Sequence, residues 1–167
     1  KLLAKLPIST YWTTNYDDLI EKSLDGEGKL ADKKFTKNHL SQTKKGRSAI
    51  VYKMHGDASV AEEAIITKDQ YESYPVHFAP FVTALSGDLV SKTFLFLGFS
   101  FTDPNLDYIL SRIRIHFEKN QRQHFCIFRK VNQSDYDNEE DFKYNELKQK
   151  FIIKDLSRFS IKVVLIE

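Results

Sequence analysis

Runs rich in β-branched and aromatic residues alternate with runs of helical periodicity along the chain, the pattern of an α/β sheet. Ile8 to Thr14 reads as the first strand. The acids of Asp17-Asp18-Leu19-Ile20-Glu21 then open a helix. A polar, glycine-bearing stretch follows from Asp25 to Arg47, long for a loop, with a short strand expected near Lys34 to Thr36. Ala49 to Met54 is the second strand and ends at His55-Gly56-Asp57. Ile65-Ile66 is expected to form a short strand, and Thr67 to cap a short helix through Tyr71.

Phe78 to Leu89 places Phe78, Phe81, Val82 and Leu85 on one face of an amphipathic helix. Thr93 to Leu97 is apolar without alternation, the expected look of a central parallel strand covered on both faces. Asp103-Pro104 starts the next helix with a capping carboxylate and a proline at the first position. Its buried face is Leu106, Ile109, Leu110, Ile113 and Phe117. A strand from His124 to Phe128, a helix from Phe142 to Phe151 and a strand from Ile161 to Ile166 complete the pattern.

Composition narrows the picture. The 167 residues are 41% hydrophobic and 29% charged, ordinary for one globular domain. No apolar run approaches the length of a membrane span. A single cysteine, Cys126, excludes an intramolecular disulfide and a cysteine-cluster zinc site. With no signal peptide visible, a cytoplasmic setting is the default expectation. The sequence opens on Lys1, and its one methionine is Met54, so an excised or processed piece is expected.

The net charge of +2 says less than its distribution. Lys29, Lys33, Lys34, Lys37, Lys44, Lys45, Arg47 and Lys53 face one acid, Asp32, in the same stretch. Such a run either attracts phosphates or nucleic acid, or is a solvated loop. No aromatic ladder accompanies it, which argues against a single-strand platform.

In open α/β sheets ligands bind beyond the carboxyl ends of the strands. Three such ends carry polar or glycine-bearing clusters: Thr13-Thr14-Asn15-Tyr16-Asp17, His55-Gly56-Asp57 and Gly98-Phe99-Ser100-Phe101-Thr102-Asp103. Parallel neighbours would bring them to one rim. His55 is expected to be exposed enough to act as a general base, or else is a structural histidine. Asn15 offers a donor and an acceptor, though Asn15 and Asp17 would also serve as helix caps. Gly98 allows close approach of a backbone to a ligand, and Ser100 reaches a phosphate or ribose hydroxyl beside a helix N-terminus. A plain turn is the alternative there.

Together these three segments, the second extended to Lys53-Met54-His55-Gly56-Asp57, resemble the SIR2-like (sirtuin-related) NAD-binding domain, in the bacterial branch found in anti-phage defence proteins. The resemblance implies a Rossmann-like, mostly parallel sheet with helices on both faces. It implies NAD as substrate, and the lone cysteine adds the expectation of no metal. By the same resemblance, Asn15 lies against the nicotinamide ribose and helps position the nucleophile. Asp17 contacts the nicotinamide amide, and His55 is the general base near the ribose hydroxyls. Gly98 and Ser100 run along the phosphates and adenosine ribose, and Thr14 matches the polar residue before the asparagine.

Two departures qualify the likeness. Protein-deacylating sirtuins carry a four-cysteine zinc module between the His-Gly and Gly-Ser motifs, and Asp57 to Leu97 holds no cysteine. NAD⁺ hydrolysis to nicotinamide and ADP-ribose is therefore preferred over NAD-dependent deacylation. The family's first strand also ends in a Gly-Ala-Gly phosphate loop, absent here, so residues 1–167 are expected to be an incomplete SIR2-like domain. The expectation is an NAD⁺ glycohydrolase within a larger bacterial defence protein, with other domains of the same protein and a possible homo-oligomer as partners. The isolated chain is expected to be nearly inactive. A non-catalytic module that senses NAD or ADP-ribose is the alternative, and nucleic-acid binding ranks last.

Overall fold

The computed structural model describes residues 2–167. The chain divides into two compact units, one up to Val82 and one from Thr83 onward. Each contains a three-stranded sheet in which every pairing is parallel. Parallel neighbours need crossovers, and the alternation of strands with helices supplies them.

In the first unit, β1 (Thr10–Thr13), β2 (Ala31–Lys34) and β3 (Ala49–Lys53) pair in the order β1-β3-β2. The crossovers are α2 (Leu19–Asp25) and the short α3 (Lys37–Ser41), while α1 (Leu2–Lys5) precedes β1. Side chains alternate across a strand. On β3, Ala49, Val51 and Lys53 therefore share the buried face. Ala49 and Val51 pack there against Ala4 of α1 and Leu24 of α2, with Tyr11, Ile20 and Ala31 around them. On the opposite face Trp12 stacks on its register partner Tyr52, with ring centroids 4.1 Å apart.

Strand β2 lies three residues before its expected place. Its sequence, Ala31-Asp32-Lys33-Lys34, is too charged to read as a strand. The charges are paired instead of solvated. Lys34 Nζ lies 2.8 Å from Asp32 Oδ1, and Arg47 lies 2.9 Å from Asp32 Oδ2. Asp32 Oδ2 also accepts from the Lys44 amide. The one acid of the basic stretch is its hub.

After β3 a 3₁₀ turn (Ala58–Glu63) leads to α4 (Lys68–His77) and α5 (Ala79–Ser91). Ile65-Ile66 is not a strand: Ile65 makes a single ladder-like bond, to the His55 carbonyl at 2.8 Å. Thr67 caps α4 through a reciprocal capping box with Gln70, as its sequence position suggests.

In the second unit, β4 (Leu95–Leu97), β5 (His124–Arg129) and β6 (Ile161–Ile166) pair in sequence order. The crossovers are α6 (Pro104–Phe117) and α7 (Glu139–Ser157). Asp103 caps α6, accepting from the amides of Asn105 and Leu106. Strand β4 departs from expectation. It is an edge strand of its sheet, and only Phe96 is buried, while Leu95 and Leu97 remain 48% and 39% exposed. Apolar composition alone does not distinguish an edge strand from a central one. The core of this unit contains Leu106, Ile109, Leu110, Leu156 and Cys126. Burial pushes the Cys126 thiol up to about 11. Among the described residues no helix is long and apolar enough to cross a membrane.

Candidate active site

Strand register places the candidates of the first unit. Thr13, the last residue of β1, lies opposite Lys53, the last residue of β3. The Met54 amide extends the ladder by donating to the Thr13 carbonyl at 3.0 Å. Thr14-Asn15 and Met54-His55 therefore leave adjacent parallel strands at the same end, where ligands bind in such sheets. Asn15 is exposed, with its backbone N–H donating to Thr13 Oγ1 at 3.1 Å. Thr14 beside it is half-buried. Asp17 is exposed, and its carboxylate accepts from the Leu19 amide at 3.0 Å, starting α2.

His55 is where expected along the chain but is not exposed, with only 2% of its surface accessible. Two tyrosines of α4 enclose it. Tyr71 Oη lies 3.2 Å from His55 Nδ1, and both Tyr71 and Tyr74 meet the imidazole edge to face. Tyr74 Oη donates to the Met54 carbonyl at 2.8 Å. Gly56 adopts φ +98°, and a Cβ there would sit 2.9 Å from Ala64 Cα. The glycine after the histidine is thus required by the close packing of Ala64 and by a left-handed backbone.

Beneath the Asn15–Asp17 loop lies the residue that sequence reading missed. Lys53 closes the basic run and ends β3, and it is wholly buried. Its Nζ donates to the Tyr16 carbonyl at 2.9 Å, to the Asp17 carbonyl and to Asp57 Oδ2 at 2.6 Å. Burial works to raise the Asp57 carboxyl. Hydrogen bonds from Lys33, Lys53 and Ser59 outweigh it and hold the group well below the usual carboxylate range. A signal for Lys53 was present in the pattern: it continues the buried face set by Ala49 and Val51. Tyr71 and Tyr74 had a similar signal in their three-residue helical spacing.

The second unit holds the remaining candidates. Gly98 follows β4 at φ +60° and is exposed, and a Cβ there would meet nothing within 4 Å. Backbone conformation, not crowding, accounts for glycine here. Ser100 is exposed, and its hydroxyl lies 2.7 Å from that of Thr102. Phe101 takes φ +59°, rare for a bulky residue and the kind of strain that collects at functional turns. Its ring is held by Phe96, Phe99 and Phe128. The segment ends on the Asp103 cap of α6.

Most of the basic stretch is spent within the chain. Lys33 pairs with Asp57, and Lys34 and Arg47 pair with Asp32. Lys29 and Lys44 donate to the carbonyls of Leu6 and Ala31, while Lys37 lies over the Phe78 ring. A separate cleft of about 430 Å³ on the first unit, lined by residues that include Thr36, Lys37, Glu63, Gln70 and His77, contains none of the candidate residues.

The sequence pattern of the SIR2-like domain matches residues 9–152. The chain belongs to the SIR2-like family. Three relatives align along essentially all of this SIR2-like chain. Proteins named NAD(+) hydrolase ThsA are 86% identical over 167 residues in Acinetobacter baumannii (strain 532279) and 57% identical over 166 residues in Bacillus cereus (strain MSX-D12). A third of that name, from Enterococcus faecium, is 49% identical over 174 residues. The chain spans 35%, 35% and 36% of their respective lengths.

Proposed function

We propose that this SIR2-like domain, within a longer polypeptide of the kind its relatives represent, hydrolyses NAD⁺ at the nicotinamide–ribose bond. The observation that carries the reading is the identity of 49–86% to proteins named NAD(+) hydrolase across the full chain. The position of Asn15 and His55 just beyond the ends of adjacent parallel strands supports it.

Nicotinamide leaves as a neutral molecule from a cationic ring, so no acid is needed to expel it. The bond from the anomeric carbon to the ring nitrogen breaks through an oxocarbenium-like transition state, and water adds to that carbon. The site supplies position and charge stabilisation. Asn15 holds the ribose and the water. His55 takes the proton, from the water or from a ribose hydroxyl, and Asp17 orients the carboxamide. Thr14 contributes a polar wall beside Asn15. Gly98 and Ser100 are assigned to phosphate and adenosine-ribose contacts by the family resemblance.

Nicotinamide release by the full-length protein is the test. His55→Ala and Asn15→Ala should each lower it by roughly 10²-fold or more, the scale of lost general-base help. Unchanged rates in both would sink the roles. The burial of His55 favours a second reading, a module that binds NAD or ADP-ribose without turning it over. Nucleotide binding with no nicotinamide released by the intact protein would establish that reading instead.

The setting we propose is a bacterial anti-phage defence protein acting in the cytoplasm, with a phosphate loop outside these 167 residues and possible homo-oligomerisation. The 167-residue chain alone should then show almost no turnover. Turnover comparable to that of the whole protein would contradict the missing-loop proposal. The internal pairing of the basic stretch weighs against a nucleic-acid role.

A further inference from the structure

Lys53 is the most unexpected side chain of the first unit. Its strand face asks for an apolar residue after Ala49 and Val51, and a well-packed apolar side chain is often as stable as a buried ion pair. Stability alone is a weak reason for an ammonium at this point. Its hydrogen bonds offer a better one. The group has three protons, and three acceptors take them. Two are the Tyr16 and Asp17 carbonyls, in the loop that carries Asn15. The third is Asp57, two residues beyond His55. Glu21 Oε1 of α2 lies 3.7 Å from the same nitrogen.

Lys53 thus fastens, through one buried point, two segments far apart in sequence that hold the candidate base and the candidate ribose contact. Other fastenings exist. The Ala58 amide donates to the Tyr16 carbonyl at 2.9 Å, and Tyr16 Oη donates to the Ile65 carbonyl at 2.6 Å. These join the same two regions through Tyr16. Lys53 adds the Asp17 carbonyl and carries the tie on to Asp57.

We propose that Lys53 is a positioning residue for NAD⁺ cleavage, setting the Asn15–Asp17 loop against His55 by bridging its two carbonyls to Asp57. The proposal rests on the hydrolase reading above. It extends that reading to a residue which touches neither substrate nor water. A misplacement of about 1 Å in a reacting group is enough to cost roughly 10²-fold. The expected loss therefore falls on kcat more than on KM.

The test compares full-length wild type, His55→Ala and Lys53→Met by nicotinamide release over a range of NAD⁺ concentrations. Lys53→Met should lower kcat by about tenfold or more with KM changed by less than about threefold. Hydrogen exchange should quicken in residues 15–19. A loss carried by KM alone, or a kcat within about tenfold of wild type beside a lowered melting temperature, overturns the proposal and leaves Lys53 a packing residue. Should Lys53→Met fail to fold, Lys53→Arg decides. It keeps the charge and donors but reaches further, so kcat should still fall by about tenfold. An unchanged kcat in Lys53→Arg overturns the proposal. If the wild-type protein releases no nicotinamide, the hydrolase reading fails and this inference with it. An active wild type with an inactive His55→Ala leaves the Lys53 result to stand alone.

Discussion

The two units are built alike and held differently. Each has three parallel strands, yet the first buries Asp32, Lys34, Lys53 and Asp57, while the second buries no lysine and no carboxylate among its described residues. On β3 the wholly buried polar group is Lys53, bonded to Asp57, and on β2 Asp32 gathers Lys34 and Arg47. On β5 the polar group is His124, kept uncharged. Burial, helped by the nearby Arg122 charge, lowers it to about 4, and its Nδ1 accepts the Phe94 amide at 3.1 Å. Around it stand Phe94 and Phe96, edge to face. The difference bears on what each unit must hold. Hydrogen bonds and ion pairs are directional, and they fix the loops bearing Asn15 and His55. Ring packing is less directional, and it braces the Gly98–Asp103 turn through Phe96, Phe99, Phe101 and Phe128.

The largest test removes a charge from the first unit. Asp57→Ala leaves the Lys53 ammonium buried without its bonded carboxylate. The expected loss is about 4 kcal/mol, the scale of an uncompensated buried charge. Urea denaturation of the full-length protein measures it, and hydrogen exchange over β3 shows where it falls. A loss below about 1 kcal/mol would mean that the charged core is decoration and that the two units are held alike.

The matching test in the second unit is a cavity. Ile109 on α6 is almost wholly buried, so Ile109→Ala should cost about 3 kcal/mol by transfer and cavity terms together. The exchange changes should be confined to α6 and the strands it covers. Spread into β1 and β3 would show that the division into two units is not energetic.

Acid separates the units more gently. His124 is neutral when folded and titrates near 6.5 when unfolded, so the unfolded chain binds the extra proton between the two values. Stability from this group is therefore complete above pH 7 and falls as pH drops through 6.5 toward 4. The loss is about 2 kcal/mol between pH 7 and pH 5. Asp57 behaves differently: its folded pKa is depressed, so its contribution persists until pH falls below the ordinary carboxylate range. His124→Asn, which keeps an acceptor for the Phe94 amide, should flatten the curve between pH 7 and pH 5. A wild-type curve already flat there would refute the neutral, buried histidine.

The same contrast governs what was legible in the sequence. Apolar elements of the second unit read well. Ile161–Ile166 is β6 at both ends, and Asp103-Pro104 starts α6 where capping chemistry says it should. Apolar runs failed at β4, whose place at a sheet edge depends on β5 from further along the chain, and at Ile65-Ile66, which makes a single ladder-like bond. The first unit misled wherever charge was structural. Lys33, Lys34 and Lys53 looked like surface, and only the fold supplies Asp32 and Asp57 as partners. The candidate site was legible as strand ends, because Asn15 and His55 sit where β1 and β3 stop. The burial of His55 was not, because Tyr71 and Tyr74 come from α4, well downstream.

The smallest expected effect concerns two caps that do the same work with different chemistry. Thr67 begins α4, the helix that brings Tyr71 to His55, by accepting the Gln70 amide while Gln70 bonds back to the Thr67 amide. Asp103 begins α6 by accepting two amides on one carboxylate oxygen. Thr67→Ala and Asp103→Ala should each cost about 1 kcal/mol, with the carboxylate loss the larger because its charge also favours the helix dipole. Only the first should reach the candidate base. Fraying of α4 loosens the Tyr71 hydroxyl that sits on His55 Nδ1, so Thr67→Ala should shift the pH–rate profile of nicotinamide release while Asp103→Ala leaves its midpoint in place. Equal shifts in both profiles would tie His55 to the second unit as firmly as to the first. The separation of a charged, site-fixing half from an apolar half would then have to be given up.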